Sequence, residues 1–314
     1  MKMVKVLFVG VGSIAMRHIK NLYEVFKEQK KVFVIDVFRK KNNAQMNSEI
    51  LEYIDEVYLD FDKIPNDYDI VFITNPTEYH MNTLEQFHMK GKHFFIEKPI
   101  CTVQQIEHIR LEYLKDNRVY YVAGPLRYTK VLKYVKSYID VGKVYAVRAI
   151  CSSYLPEWRP GIDYRATYSA HRDLGGGVAI DLIHEWDYLT YLFGKPESVY
   201  SIIKKVSDLE IDSDDIAIYI GEYKDKLVEV HLDYFGRKAI RKLELYMKDD
   251  TVECDLIKST ITFLKTGQVI EFGQERDDFQ KEEIRYFLDL VSNEKYGVKN
   301  IVQAIELIRL IGGN

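Results

Sequence analysis

Cysteine is scarce: three in 314 residues, Cys101, Cys151 and Cys254. Their odd number and wide spacing fit neither a disulfide scaffold nor a redox pair or zinc motif. His80, His88, His93 and His184 add no ligand spacing, so no metal is expected. An excess of one charge is also missing. Lys plus Arg number 44 and Asp plus Glu 48, a net charge of −4, which argues against a protein held to nucleic acid by bulk positive charge. Long uncharged runs are absent too. The longest stretch without Asp, Glu, Lys or Arg, Val6 to Met16, is far short of the ~20 residues that span a bilayer. The start reads as a Val-rich strand rather than a signal peptide, and no repeat or low-complexity tract interrupts the chain. The expectation is a reduced, cytoplasmic protein with neither nucleic acid nor membrane as its partner.

The length suggests two domains, and 47% apolar with 29% charged residues is the balance of a protein that buries a full core. Residues 4–9 read as a buried strand, and from Ser13 the positions Ile14, Ile19, Leu22, Tyr23 and Phe26 follow helical spacing. Strand-like runs follow at 32–37, 70–74, 93–96 and 119–123, with helices expected at about 80–90 and 102–117. That alternation predicts βαβ units and a doubly wound parallel sheet ending near residue 125. Later runs at 144–153, 196–206, 214–223, 227–235, 238–247, 251–255 and 260–272 alternate in the β manner. Some join as hairpins through polar breaks at 223–226, 235–237 and 248–250. Helices are expected at 178–193, 278–292 and 300–311. The second half, 126–314, therefore reads as an α+β domain with a large, mostly antiparallel open sheet. Its last helix is placed back on the first domain. Residues 154–175 show no period, and a loop that long is more often functional than idle.

Gly10-Val11-Gly12-Ser13-Ile14-Ala15 fits G-x-G-x-x-[G/A] between a strand and a helix. Two glycines permit a tight turn close to a pyrophosphate, and the helix N-terminus offers free N–H groups to the anion. Asp36, 26 residues after Gly10, is expected at the end of the second strand, where it would accept hydrogen bonds from the adenosine ribose. A carboxylate there repels a 2′-phosphate and favours NAD. Arg39-Lys40-Lys41 follow directly and keep NADP open.

Two segments carry candidate chemistry. Strand 93–96 delivers Glu97-Lys98-Pro99 at its C-terminal end, where ligands bind in open α/β sheets. Pro99 restricts Lys98 to extended conformations and presents it stiffly. Gly175-Gly176-Gly177 then precedes a helix bearing Asp181 and His184, about 60° apart at 100° per residue. A carboxylate on the same face can orient a histidine that acts as general base.

The glycine turn, Thr74-Asn75-Pro76-Thr77-Glu78-Tyr79-His80, Glu97-Lys98-Pro99 and the Asp181/His184 helix occur in one order. That order resembles the Gfo/Idh/MocA family, glucose–fructose oxidoreductase, inositol dehydrogenase and relatives, over nearly the whole chain. The resemblance implies a Rossmann domain followed by a substrate domain. Gly10 to Ile14, Asp36, Arg39, Thr74, Asn75, Pro76, His80 and Glu97 would serve the cofactor. Lys98 would touch both nicotinamide ribose and substrate hydroxyl, and Asp181 with His184 would complete the proton-handling set. Many members space the aspartate and histidine by four residues; here the spacing is three. The string from Leu155 to Arg165, with Tyr168-Ser169-Ala170, looks like a subgroup linked to bacterial surface-sugar pathways.

The expected activity moves a hydride between a nicotinamide and a secondary alcohol or ketone carbon of a sugar, nucleotide sugar or polyol. Arg127, Arg159, Arg165 and Arg172, with Trp158, Tyr164 and Tyr168, hint at an anionic polyol, the arginines for charge and the rings for a flat face. The alternatives are ion-pair roles for the arginines, a reductase or dihydrodiol dehydrogenase acting on another substrate, and a non-catalytic NAD-binding regulator. An open sheet with Ile and Val on its outer face predicts self-association as a dimer or tetramer.

Overall fold

The computed structural model describes residues 3–40, 48–297 and 299–312. The chain divides into two units, 1–123 with 276–306, and 124–275 with 307–314.

In the first unit, strand β1 (Val4–Val9) runs into helix α1 (Ser13–Glu28), and β2 (Phe33–Phe38) follows. A short helix α2 (Ser48–Leu51) and β3 (Glu56–Tyr58) come next, then β4 (Tyr68–Ile73), α3 (His80–Phe87), β5 (Gly91–Ile96) and β6 (Tyr120–Val122). All these strands pair in parallel, in the order β3-β2-β1-β4-β5-β6. That is the doubly wound arrangement, with the chain reversing direction across the sheet between β1 and β4. Its strands are apolar along most of their length because both faces are covered. Phe8, Phe72 and Phe95 stack in series at 4.4 and 4.7 Å.

The expected helix at 102–117 is not formed. A capping box at Thr102 starts only one short 3-10 segment, Val103–His108. Within 103–117, Ile106 alone is buried, so no apolar stripe faces the core to sustain a longer helix.

The second unit starts with α4 (Lys130–Tyr138) and the long β7 (Val144–Tyr154). Residues 155–175 carry three single 3-10 turns. The expected helix over 178–193 is two helices, α5 (Val178–Asp181) and α6 (His184–Phe193). Strands β8 (Ser198–Lys204), β9 (Ile216–Glu222), β10 (Leu227–Asp233), β11 (Phe235–Met247), β12 (Thr251–Asp255), β13 (Thr260–Phe263) and β14 (Gln268–Glu271) then complete the sheet. Its order is β14-β13-β12-β11-β7-β10-β9-β8, antiparallel except for β7 with β10. Residues 223–226 and 248–250 form hairpin turns, as expected. Residues 235–237 do not, because β7 lies between β10 and β11.

Two further helices are α7 (Arg276–Ser292) and α8 (Lys299–Ile311). Helix α7 belongs to the first unit, where Ile284 and Phe287 join the core around Phe72 and Phe95. No helix among the described residues is long and apolar enough to cross a membrane.

Candidate active site

The phosphate turn begins where β1 ends. Gly10 N–H donates to Phe38 O at 3.0 Å, and Gly10 has φ +92°. A Cβ there would meet the Asn75 backbone at 2.8 Å, so both conformation and space demand glycine. At Gly12 the same atom would meet nothing within 4 Å, leaving open space beside the turn. Gly12 caps α1 without a side-chain hydrogen bond, and the first helical bond runs from Met16 N–H to Gly12 O. The N–H groups of that first turn, next to exposed Ser13 and half-buried Val11 and Ile14, therefore face an anion site.

Thr74 Oγ1 donates to Val9 O and Gly10 O at 3.2 and 3.0 Å, tying the end of β4 to the turn. Asn75 Nδ2 donates to Thr83 Oγ1 at 2.7 Å. Its Oδ1 is buried with no hydrogen-bond partner among the described residues. The cradle at Gly10, the open space at Gly12, the uncapped helix and this orphaned acceptor together fit a dinucleotide. Pro76 is exposed beside them. Gly10→Ala is expected to destabilise the protein by about 1–3 kcal/mol from strain alone and to weaken dinucleotide binding at least tenfold. Thermal melts and calorimetric titration check both parts.

Two expected cofactor contacts sit differently. His80 is 1% exposed, with Nδ1 facing Pro99 O and Nε2 facing Asn75 O, each at 2.8 Å. Burial holds its pKa down, so the neutral ring donates to one carbonyl at a time. Through these two carbonyls it ties the Asn75 turn to Pro99. Asp36 does not end β2. It lies opposite Leu7, whereas Val9 is opposite Phe38, so Asp36 is two residues below the turn. Its carboxylate accepts from Tyr68 OH at 2.6 Å, and burial raises its pKa. Arg39 comes after the strand, with its N–H on Tyr58 O. Lys41 lies outside the described residues.

Lys98 stands at the C-terminal end of β5, half-buried, before a cis Pro99. Its N–H donates to Glu97 Oε2 at 3.2 Å, and Glu97 Oε1 meets His18 Nε2 at 2.5 Å. Burial pushes the Glu97 pKa up, but the hydrogen bond and charge of His18, with Lys98, bring it below the usual value. His18, 1% exposed on α1, escaped sequence reasoning. A histidine on a mostly apolar helix face gives no signal until its carboxylate partner arrives from another strand.

In the second unit, Gly177 has φ +129°, and a Cβ would strike Asp214 Oδ1 at 2.5 Å. Val178 and Ala179 N–H donate to Asp214 O and Oδ2, which caps α5 from outside. Around residues 182–185, bonds from Ile183 N–H to Ile180 O and Glu185 N–H to Leu182 O tighten the path to i→i+3. In such a turn, positions three apart nearly eclipse, so the three-residue spacing of Asp181 and His184 suits this break. Asp181 Oδ2 accepts from Tyr234 OH at 2.6 Å, and the Tyr168 hydroxyl also bonds Asp181. The Asp181 charge, then burial, raises the Tyr168 pKa, while burial and then Asp181 raise that of Tyr234. Both phenols stay protonated as donors. Trp158 packs edge-on against Tyr234 at 5.2 Å and donates to Ser153 Oγ at 2.9 Å. Arg159 lies over the Tyr168 ring at 5.4 Å. Tyr234 was not expected; it comes just after a strand and has no motif around it.

The other arginines are committed elsewhere. Arg127 grips Asp187 through Nε and Nη2 at 2.9 and 2.6 Å, and Arg241 pairs with fully buried Glu185 at 2.8 Å. These pairs fix the first turn of α6, where His184 sits, and Arg127 braces that turn. Arg165 is claimed by Asp163 and Glu210, both at 2.9 Å. Tyr164 OH accepts from Glu210 N–H and braces the same loop. His171, Asp173 and Asp212 are the one group of possible metal ligands among the described residues. His171 Nε2 already meets Arg165 O at 2.7 Å, and exposed acidic groups commonly gather without an ion.

Two family models match in succession. The oxidoreductase family's NAD-binding Rossmann fold covers residues 4–123, and the GFO/IDH/MocA C-terminal domain covers 132–253. The chain belongs to the Gfo/Idh/MocA oxidoreductase family. Its first domain is an NAD-binding Rossmann domain, as the glycine turn implied. Among curated relatives, the uncharacterized oxidoreductase YrbE of Bacillus subtilis is 24% identical over 188 residues, 59% of this chain and 52% of that protein. Inositol 2-dehydrogenase of Rhizobium meliloti is 27% identical over 161 residues, 49% of this chain and 47% of that one. The chain thus spans about half the length of the curated relatives it matches. The fold is shared with levoglucosan dehydrogenase in complex with NADH, at TM-score 0.83 and 15% identity over 99% of this chain and 95% of that one. It is also shared with UDP-N-acetylglucosamine 3-dehydrogenase GnnA of Acidithiobacillus ferrooxidans, at TM-score 0.74 and 17% identity over 99% and 96%.

Proposed function

We propose that this protein is an NAD(P)-dependent dehydrogenase or reductase acting on a CH–OH carbon of a sugar, nucleotide sugar or polyol. The observation that carries the reading is the Gly10 cradle against Asn75 beside an uncapped α1, because it fits a pyrophosphate and has no packing need for such openness. When bound, the nicotinamide accepts or returns a hydride at C4. Lys98, mounted on the buried Glu97–His18 pair, donates a hydrogen bond to the substrate oxygen and stabilises charge there. His184 takes the hydroxyl proton, and Asp181 supplies the negative charge that supports an imidazolium. Tyr168, Trp158 and Arg159 present ring faces and one cation to the sugar. The printed names of relatives acting on inositol, levoglucosan and a UDP-sugar support this substrate class.

The test is a fluorescence titration with NADH and NADPH, followed by a panel of neutral and charged sugars with the bound cofactor. Saturable binding plus turnover of at least one polyol is expected. Tight binding with no hydride transfer to any polyol would instead make the protein an NAD-responsive regulator. Absence of binding to either cofactor would remove the oxidoreductase reading.

We also infer a cytoplasmic, self-associating protein. Three buried free thiols suit a reducing compartment. On the outer face of the second sheet, exposed Tyr200 pairs with Ile220 and exposed Ile202 with Ile218. Light scattering should give a dimer or larger mass, and a monomer at working concentration would contradict the proposal.

A further inference from the structure

The mount of Lys98 continues past His18 into the seam between α1 and α7. At about 100° per residue, Arg17, Asn21, Glu24 and Glu28 share one face of α1. On that face Arg17 pairs with Asp277, Glu24 with Lys281 and Glu28 with Arg285, so the two helices run side by side in the same direction. Asn21 falls between the first two pairs on α1, and Gln280 falls between them on α7. The flanking pairs reach solvent, but Asn21 is only 3% exposed and Gln280 2%. His18 lies one turn before Asn21, on the sheet side of α1, with its ring edge-on to Phe95 at 5.1 Å. Phe95 in turn meets Phe287 of α7. Three polar atoms of this seam have no hydrogen-bond partner among the described residues: His18 Nδ1, Asn21 Nδ2 and Gln280 Oε1. Buried polar atoms without a protein partner are normally bonded to ordered water. A donor, an acceptor and a ring nitrogen able to act as either match the bonds that a single water makes.

We propose that Asn21 and Gln280 are positioning residues for Lys98, joined to His18 Nδ1 by one buried water, so that α7 helps to set the pair on which the lysine stands. The inference rests on the reading of Lys98 as a group that touches the substrate. Glu97 accepts from the Lys98 N–H with one oxygen and from His18 Nε2 with the other, so the His18 ring keeps a proton on Nε2. What faces Nδ1 then decides whether the ring is neutral or an imidazolium. An acceptor there favours the second proton, and a donor disfavours it. Gln280 Oε1 and Asn21 Nδ2 are one of each, and through the water they hold the ring, and with it Glu97, in one bonded arrangement.

Nitrogen-15 spectra of the full-length protein labelled at histidine, with His18→Gln to assign the signal, test this without substrate. Gln280→Leu removes the acceptor and is expected to move the His18 nitrogens toward the neutral Nε2–H form. Asn21→Leu removes the donor and should move them the opposite way, toward imidazolium. Each variant should also lose about tenfold in kcat on the polyol that the native protein oxidises, with NADH affinity within about threefold, the scale by which hydrogen-bonded supports tune the groups they orient. The swapped pair, Asn21→Gln with Gln280→Asn, keeps both amides and their summed length, and is expected to recover most of the ring signal and of kcat. Ring signals unmoved in both single variants overturn the proposal, as does a native kcat in either. Parallel losses of kcat and melting temperature with no recovery in the swapped pair reduce the seam to packing and overturn it too. A native rate in Lys98→Met defeats the lysine reading and the proposal with it, whereas unmoved rings defeat the proposal alone.

Discussion

Lys98→Met is expected to lower kcat by at least about 10²-fold and up to about 10⁴-fold, with NADH affinity changed by no more than a few-fold. Methionine keeps the length and apolar stem of lysine and removes only the charged head. The mount stays: the residue 98 N–H still donates to Glu97, and Glu97 still meets His18. The loss therefore reports on the ammonium group and not on a collapsed loop. At about 1.4 kcal/mol per tenfold, the range corresponds to about 3–6 kcal/mol of transition-state stabilisation. Single-turnover absorbance at saturating cofactor measures it. A variant within tenfold of the native rate would take Lys98 out of the chemistry, and melting temperature separates that result from misfolding.

The second large effect concerns Asp181 and His184. His184→Ala is expected to cost about 10²–10⁴-fold in kcat. Asp181→Asn should cost about 10²-fold, because its amide carries no charge to support an imidazolium. It also brings N–H groups to a site where Tyr234 and Tyr168 are both donors. If Asp181 acts through His184, the double variant should be little worse than His184→Ala alone, since groups that work as a unit are not additive. Full multiplication of the two losses would show separate roles. Tyr234→Phe provides a milder control, removing one donor to Asp181 and leaving its charge.

The parallel sheet and the glycine turn were legible because strand-turn-helix grammar is local. Gly10, Gly12, Lys98, Asp181 and His184 follow from short motifs, and the change to an antiparallel sheet follows from two-residue alternation. Three things were not local. The level of Asp36 depends on its register against β1, which no feature within β2 announces. The break at Leu182 and Ile183 lies in a stretch buried on nearly every side, where hydrophobic periodicity has no face to report. Some ion-pair partners of the arginines are distant in sequence and give no local signal: Asp187 for Arg127 and Glu210, beside the near Asp163, for Arg165.

The first unit is discontinuous, and this bears on how the chain is made. Ile284 and Phe287 of α7 fill the same core as Phe8, Phe72 and Phe95, so a nascent Rossmann unit emerges from the ribosome with its hydrophobic centre open. At roughly 5–20 residues per second, the intervening segment keeps that surface waiting for on the order of ten seconds or more. A growing chain in that state is a natural client for holding chaperones, and the emergence of α7 is what closes it.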